Sequence, residues 1–138
     1  GLPFDPPGVR IDRLADVVEG VKAFRAGGML DVHNKTLHWR EFEGVPRPVG
    51  QVPIMIGGGS PRILRLAGRE ADIVSLNFDN SSGKIGPAGV GSSTAELTAQ
   101  KIDWIRTGGA LNALALVAFI ASTASAVVRG WRRPPAPE

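Results

Sequence analysis

Two short apolar runs, Ile54-Met55-Ile56 and Ile73 to Leu76, flank a stretch in which Ile63, Leu66 and Ala67 recur at helical spacing while Arg62, Arg65 and Arg69 line another face. Runs this short cannot make a helix and suit strands buried on both faces of a parallel sheet. The stretch between them reads as an amphipathic helix with one packed face and one wet one. Gly57 to Gly59 stop the first strand, Ser60 is placed to cap the helix with its hydroxyl, and Pro61 fits the first helical position, where a missing N–H costs nothing. The pattern predicts strand, turn, helix, strand. A right-handed crossover then puts the loops at Gly57 and Asn77 on one edge of the sheet.

Upstream, Pro3, Pro6, Pro7 and Gly8 predict an extended start, and a helix follows from about Ile11. Its apolar face is Leu14, Val17, Val18, Val21 and Phe24, and Gly27-Gly28 end it. Asp12, Asp16 and Glu19 in its first half, with Lys22 and Arg25 near its end, suit the helix dipole. Met29 to Glu43 alternates loosely around Asn34-Lys35 and predicts an irregular hairpin inserted before the buried strand. Counted along one strand, His33 and His38 face opposite sides, and no carboxylate or cysteine stands at metal spacing, so no metal site is expected.

Downstream, residues 79–93 are rich in Gly and Ser and read as a long loop on the edge that carries Ser60. Ser93 opens a capping box with Glu96, and Leu97, Ile102, Trp104 and Ile105 form the next helix, up to Gly108-Gly109. The segment 107–128 holds no charge over 22 residues and is followed by Arg129, Trp131, Arg132 and Arg133. That is the pattern of a membrane span with an interfacial anchor. The preferred reading is a buried strand over 111–120, followed by a short helix that Ser122 or Thr123 caps, which continues the βα alternation. The reading assigns 1–133 to one domain and 134–138, with its three prolines, to a disordered tail.

Composition narrows the function classes. The 138 residues are 43% hydrophobic and 21% charged, an ordinary balance for a globular chain with a modest core. A net charge of only +3, with 6% aromatic residues and no tyrosine, argues against nucleic-acid binding. The absence of cysteine excludes disulfides, thiolate metal sites and a thiol nucleophile. Asn34-Lys35-Thr36 and Asn80-Ser81-Ser82 match the glycosylation pattern; with no signal peptide opening the chain they are expected to be chance matches, and the expected location is cytoplasmic.

The candidate chemistry lies at the glycine turn. Residues without Cβ let a ligand approach the backbone, and a helix start with its exposed N–H groups suits a phosphate. Gly58, Gly59 and Ser60 are the candidate phosphate-binding residues, and Asn77 and Asp79 on the same edge are candidates to line the pocket. Stricter phosphate motifs are absent. Gly83-Lys84 is followed by Ile85 and lacks the upstream glycine of a P-loop, and neither Gly57 to Arg62 nor Gly89 to Thr94 completes a dinucleotide fingerprint.

Three segments carry a family resemblance: Gly1-Leu2-Pro3-Phe4-Asp5-Pro6-Pro7-Gly8-Val9-Arg10 with Arg13-Leu14; Pro46-Arg47-Pro48-Val49 before Gln51 and Pro53; and Ile56-Gly57-Gly58-Gly59-Ser60 with Ala67 and Arg69-Glu70-Ala71-Asp72. In this order they resemble the luciferase-like flavin and deazaflavin oxidoreductases over roughly residues 1–106, although Asn34 or Lys35 stands where that family often has a glycine in the hairpin turn. The resemblance implies a (β/α)8 barrel, which takes roughly 250 residues, so this chain corresponds to about the C-terminal half of a TIM barrel, with parallel βαβ units and an inserted hairpin. It further implies FMN or the deazaflavin coenzyme F-420, the latter preferred, and hydride transfer to or from a small organic substrate. The family's proton-handling residues lie mostly in the earlier half of the barrel, so no catalytic residue is assigned. The competing reading is a non-enzymatic truncated fragment or subunit, with membrane association through 107–128 as one form of it. On either reading the chain needs the missing N-terminal half or self-association to cover its strand edges.

Overall fold

The computed structural model describes residues 4–78 and 94–109, together with the backbone of Leu116–Ala118. The expectations for the loop 79–93, including Asp79 and Asn80, for residues 110–115 and for everything beyond 118 lie outside the described residues. The architecture is α/β, with an antiparallel hairpin and a separate three-stranded parallel sheet. The chain divides into two units, Gly1–Ile54 and Met55–Glu138.

The first unit is helix α1 (Pro7–Ala26) followed by strands β1 (Met29–His33) and β2 (His38–Glu43). The helix begins four residues before the expected Ile11, with Pro7 at its first position, for the reason already applied to Pro61. It ends where Gly27 and Gly28 take positive φ values of 74° and 91°, a conformation glycine adopts without steric cost. Asp16, Gly20 and, from the apolar stripe, Phe24 meet the hairpin, at steps of four: a Cβ on Gly20 would stand 2.3 Å from Leu37 Cδ1 and 3.1 Å from Trp39, and the Phe24 ring lies 6.4 Å from that of Phe42. Of the expected face only Val18 is buried, and Val17 and Val21 are exposed.

The hairpin turn is closed by hydrogen bonds. Asn34 Oδ1 accepts from the N–H groups of Thr36 and Leu37, at 3.1 and 2.7 Å. Its amide nitrogen donates to the Asp16 carbonyl and the Glu19 carboxylate, at 3.2 and 3.0 Å, and the Thr36 hydroxyl donates to the Asp16 carboxylate at 2.7 Å. One asparagine thus closes the turn and docks it on α1, so a glycine is not needed there. A bulge follows between Leu30 and Val32, where the Asp31 carboxylate accepts the N–H of Glu41, whose φ is 47°. His33 and His38 pair across the hairpin with ring centroids 6.3 Å apart. They therefore share a face, contrary to the count along a single strand, because the turn reverses the chain between them. No three His, Asp or Glu side chains among the described residues could hold a metal ion.

The second unit runs β3 (Met55–Gly58), α2 (Pro61–Glu70), β4 (Ile73–Leu76), α3 (Ala95–Gly108) and β5 (Leu116–Ala118). All three strands are parallel, in the order β3-β4-β5. The predicted βαβ unit is present, with Gly57 and Gly58 inside β3 and not after it. The strand is buried on one face only: Ile56 and Gly58 are covered, while Met55 is 64% exposed. Leu64, Ala67 and Val74 are fully buried, and a fully buried leucine or valine side chain is worth roughly 1.5–3 kcal/mol. Thr107 and Gly108 belong to α3 and Leu116–Ala118 pair with β4, so the uncharged segment 107–128 is not one continuous helix. No helix among the described residues is long and apolar enough to cross a membrane.

Helices α2 and α3 meet backbone to backbone. A Cβ on Gly68 would stand 2.0 Å from the Ile105 carbonyl oxygen, one on Gly108 2.0 Å from that of Arg65, and one on Gly109 2.1 Å from that of Gly68. The cap of α3 is Thr94, one residue after the expected Ser93, and its hydroxyl accepts from the Leu97 N–H at 3.3 Å. Glu96 then falls one position short of a capping box. Its carboxyl is held below the ordinary glutamate value by its own backbone N–H and, second, by the Thr94 hydroxyl.

Gly68→Ala is expected to lower stability by about 3 kcal/mol, because the obstacle is backbone that cannot rotate away, whereas the exposed Arg69→Ala stays within about 0.5 kcal/mol; urea unfolding of both variants measures the difference. Thr94→Ala is expected to cost about 1 kcal/mol as a lost cap. Because the folded carboxyl of Glu96 titrates low, its contribution is complete above the ordinary glutamate pKa of about 4.3 and disappears as pH falls through the lower folded value. Side-chain NMR titration should find the Glu96 midpoint displaced downwards, and less so in Thr94→Ala.

Candidate functional site

The C-terminal edge of the parallel sheet is built from the ends of β3 and β4 and the start of α2. Register fixes it: Gly58 lies opposite Leu76, and the ladder continues one bond further, from the Asn77 N–H to the Gly58 carbonyl at 2.9 Å. Gly57, Gly59, Ser60 and Asn77 therefore come together without help from any loop.

The three glycines have three different surroundings. A Cβ on Gly58 would strike Ile63 at 2.4 Å, so this glycine lets the first turn of α2 sit down on the strand. Gly59 faces the end of β4, where a Cβ would meet the carbonyl oxygens of Asn77 and Phe78 at 3.0 and 3.1 Å. Gly57 is exposed, with the Asn77 amide in ordinary contact 3.6 Å from where its Cβ would be. None of the three has a positive φ. What the run supplies is space, and the turn does not depend on glycine's left-handed conformations.

Ser60 is the N-cap of α2 by position, with extended φ and ψ of −96° and 157°, yet its side chain makes no capping hydrogen bond. The expected cap bond is not formed, and Pro61 fixes φ at the first helical position without it. The first helical bond runs from the Leu64 N–H to the Ser60 carbonyl at 3.1 Å. A helix start leaves its first N–H groups pointing out of the helix end, where the dipole is positive. The exposed Ser60 hydroxyl stands among them. Such a donor set suits a phosphate or another oxyanion.

Of the candidates, Gly59, Ser60 and Asn77 share this edge, Gly58 is committed to packing, and Asp79 lies outside the described residues. One residue was not singled out from the sequence. Lys101 of α3 is about nine-tenths buried, and its ammonium donates to the Asn77 carbonyl at 2.9 Å. Its place in the series Leu97, Lys101, Ile105, at steps of four on the helix, is the signal that could have marked it.

The family model for luciferase-like monooxygenases matches residues 4–85, more than half of the chain. The match covers α1, the hairpin and the βαβ unit, and with them Gly57 to Ser60, Asn77 and Asp79, while α3 with Lys101 lies beyond it. No curated protein matches the chain. With the βαβ unit, its glycine edge and the preceding helix and hairpin all inside the matched span, the chain belongs to the luciferase-like monooxygenase family.

Proposed function

We propose that the chain is the C-terminal part of a cytoplasmic luciferase-like oxidoreductase barrel, and that it holds the phosphate of FMN or of the deazaflavin coenzyme F-420 on the edge formed by Gly57, Gly59 and Ser60. Bound there, such a cofactor would supply hydride transfer to or from a small organic substrate. The chain's own residues bind and orient: Gly59 lets the start of α2 close on the end of β4, the Ser60 hydroxyl and the α2 start donate to the oxyanion, and Asn77 stands at the same edge beside Gly57. Asp79 is proposed to line the same pocket. The observation that carries the reading is the Ser60 hydroxyl, exposed at a helix N-terminus and not used as a cap. In a (β/α)8 barrel ligands sit at the C-terminal ends of the strands, which is the edge these residues occupy.

A second reading, a non-enzymatic subunit that pairs with another chain, draws on β3. Among the described residues this strand ends the sheet, and Met55 on its open face is 64% exposed. An uncovered edge of this kind invites strand pairing. The enzymatic reading needs the same edge covered by the remaining barrel strands, so cofactor binding separates the two readings.

Fluorescence titration of FMN and of coenzyme F-420 provides the test. Ser60→Ala removes a hydrogen bond to a charged group, worth about 1.5–3 kcal/mol, so affinity is expected to fall roughly tenfold to a hundredfold. Since no cap bond is lost, unfolding free energy should stay within about 0.5 kcal/mol of the unaltered chain. Ser60→Asp should lose more binding by repulsion of the phosphate. Binding by Ser60→Asp as tight as that of the unaltered chain would place the phosphate elsewhere. Size-exclusion chromatography at two concentrations addresses the second reading, which expects a concentration-dependent, cofactor-free assembly.

A further inference from the structure

Lys101 is the least expected feature of the second unit. It lies on the packed face of α3, four residues before Ile105, and is about nine-tenths buried. Among the described residues its ammonium has one partner, the Asn77 carbonyl at 2.9 Å, and no carboxylate pairs with it. Burying a charge is costly unless it is paired, and a single carbonyl does not neutralise an ammonium. A structural need to satisfy the end of β4 could be met by a neutral donor at lower cost.

The position of that charge gives it a use. The Asn77 carbonyl oxygen that receives the ammonium is also the one that a Cβ on Gly59 would approach to 3.0 Å. The ammonium and the position a Gly59 Cβ would take therefore border the same oxygen, at 2.9 and 3.0 Å. A lysine ammonium has three donors, and one is accounted for. A compact point charge on a flexible stem is well suited to phosphate.

We propose that Lys101 is the fixed positive charge of the phosphate site: it holds the Asn77 carbonyl with one N–H and faces the cofactor phosphate with its charge. This rests on the reading of Gly59 and Ser60 as a phosphate edge and adds to it a residue from α3, outside the span that defines the family match. The assignment makes a specific demand, that Lys101 contribute to affinity only when the ligand carries a phosphate.

The experiment compares FMN with riboflavin, and coenzyme F-420 with its phosphate-free ribityl deazaflavin, by fluorescence titration of the full chain and of Lys101→Gln, which keeps an N–H donor for Asn77. The unaltered chain is expected to prefer the phosphate-bearing member of at least one pair, and Lys101→Gln to lose roughly tenfold to a hundredfold of that preference while binding the phosphate-free member as before. An unaltered chain with no preference in either pair refutes the phosphate edge itself, and this assignment with it. A preference that survives in Lys101→Gln refutes the assignment alone. A second measurement does not depend on the variant folding: in the unaltered chain with 15N-labelled lysine, the Lys101 ammonium resonance should move with the phosphate-bearing ligand and not with its phosphate-free partner, while Lys22 and Lys35 hold still in both. A Lys101 resonance indifferent to the phosphate overturns the proposal.

Discussion

The second unit depends on two helices touching through bare backbone. Gly68 against the Ile105 carbonyl, and Gly108 against that of Arg65, bring α2 and α3 closer than any side chain would allow. That distance fixes more than packing. Ile105 is buried by it, and Lys101, one turn earlier on the same face, reaches the end of β4 with its ammonium. Held further away, α3 would carry Lys101 off the Asn77 carbonyl, and the strand end would lose its only described side-chain donor. The helix pair and the candidate site are thus one mechanical system, in which contacts remote from the sheet edge set the geometry there.

The same economy governs the glycine run. Gly58 yields to Ile63 and Gly59 to the carbonyls of Asn77 and Phe78, so two of the three glycines are required by the protein's own packing before any ligand is considered. This does not weaken the functional reading. The close approach that lets the start of α2 settle on β3 also presents the helix N-terminus and the Ser60 hydroxyl beside the strand ends. In an α/β protein this is where structural tightness and ligand access coincide.

The first unit uses a different device. Its helix and hairpin are joined by the Asn34 amide, both ends of which are occupied, and by the Thr36 hydroxyl on Asp16. Polar groups at the turn fix how α1 lies on the hairpin, and Gly20 lets it lie close to Leu37 and Trp39. Of the helix's apolar stripe, Phe24 lies against Phe42 and Val18 is buried, while Val17 and Val21 stay exposed.

By itself the sequence determined the local elements and the lineage. The helical spacing of Ile63, Leu66 and Ala67 between two short apolar runs was enough for the βαβ unit, the alternation around Asn34 for the hairpin, and three ordered motifs for the luciferase-like family. These features are set by burial period and by local backbone preference, both of which are written along the chain. The tertiary structure alone decided which neighbour each face meets. Ser60 stands at the cap position without capping, the two histidines share a face across a turn, and α1 docks through Asp16, Gly20 and Phe24. Lys101, which the sequence offers as one more lysine on an amphipathic helix, becomes a buried charge at the end of β4. Periodicity reports that a face is covered, not what covers it. The partner of a glycine or a lysine is chosen by contacts between elements distant in sequence, and such contacts exist only once the chain has folded.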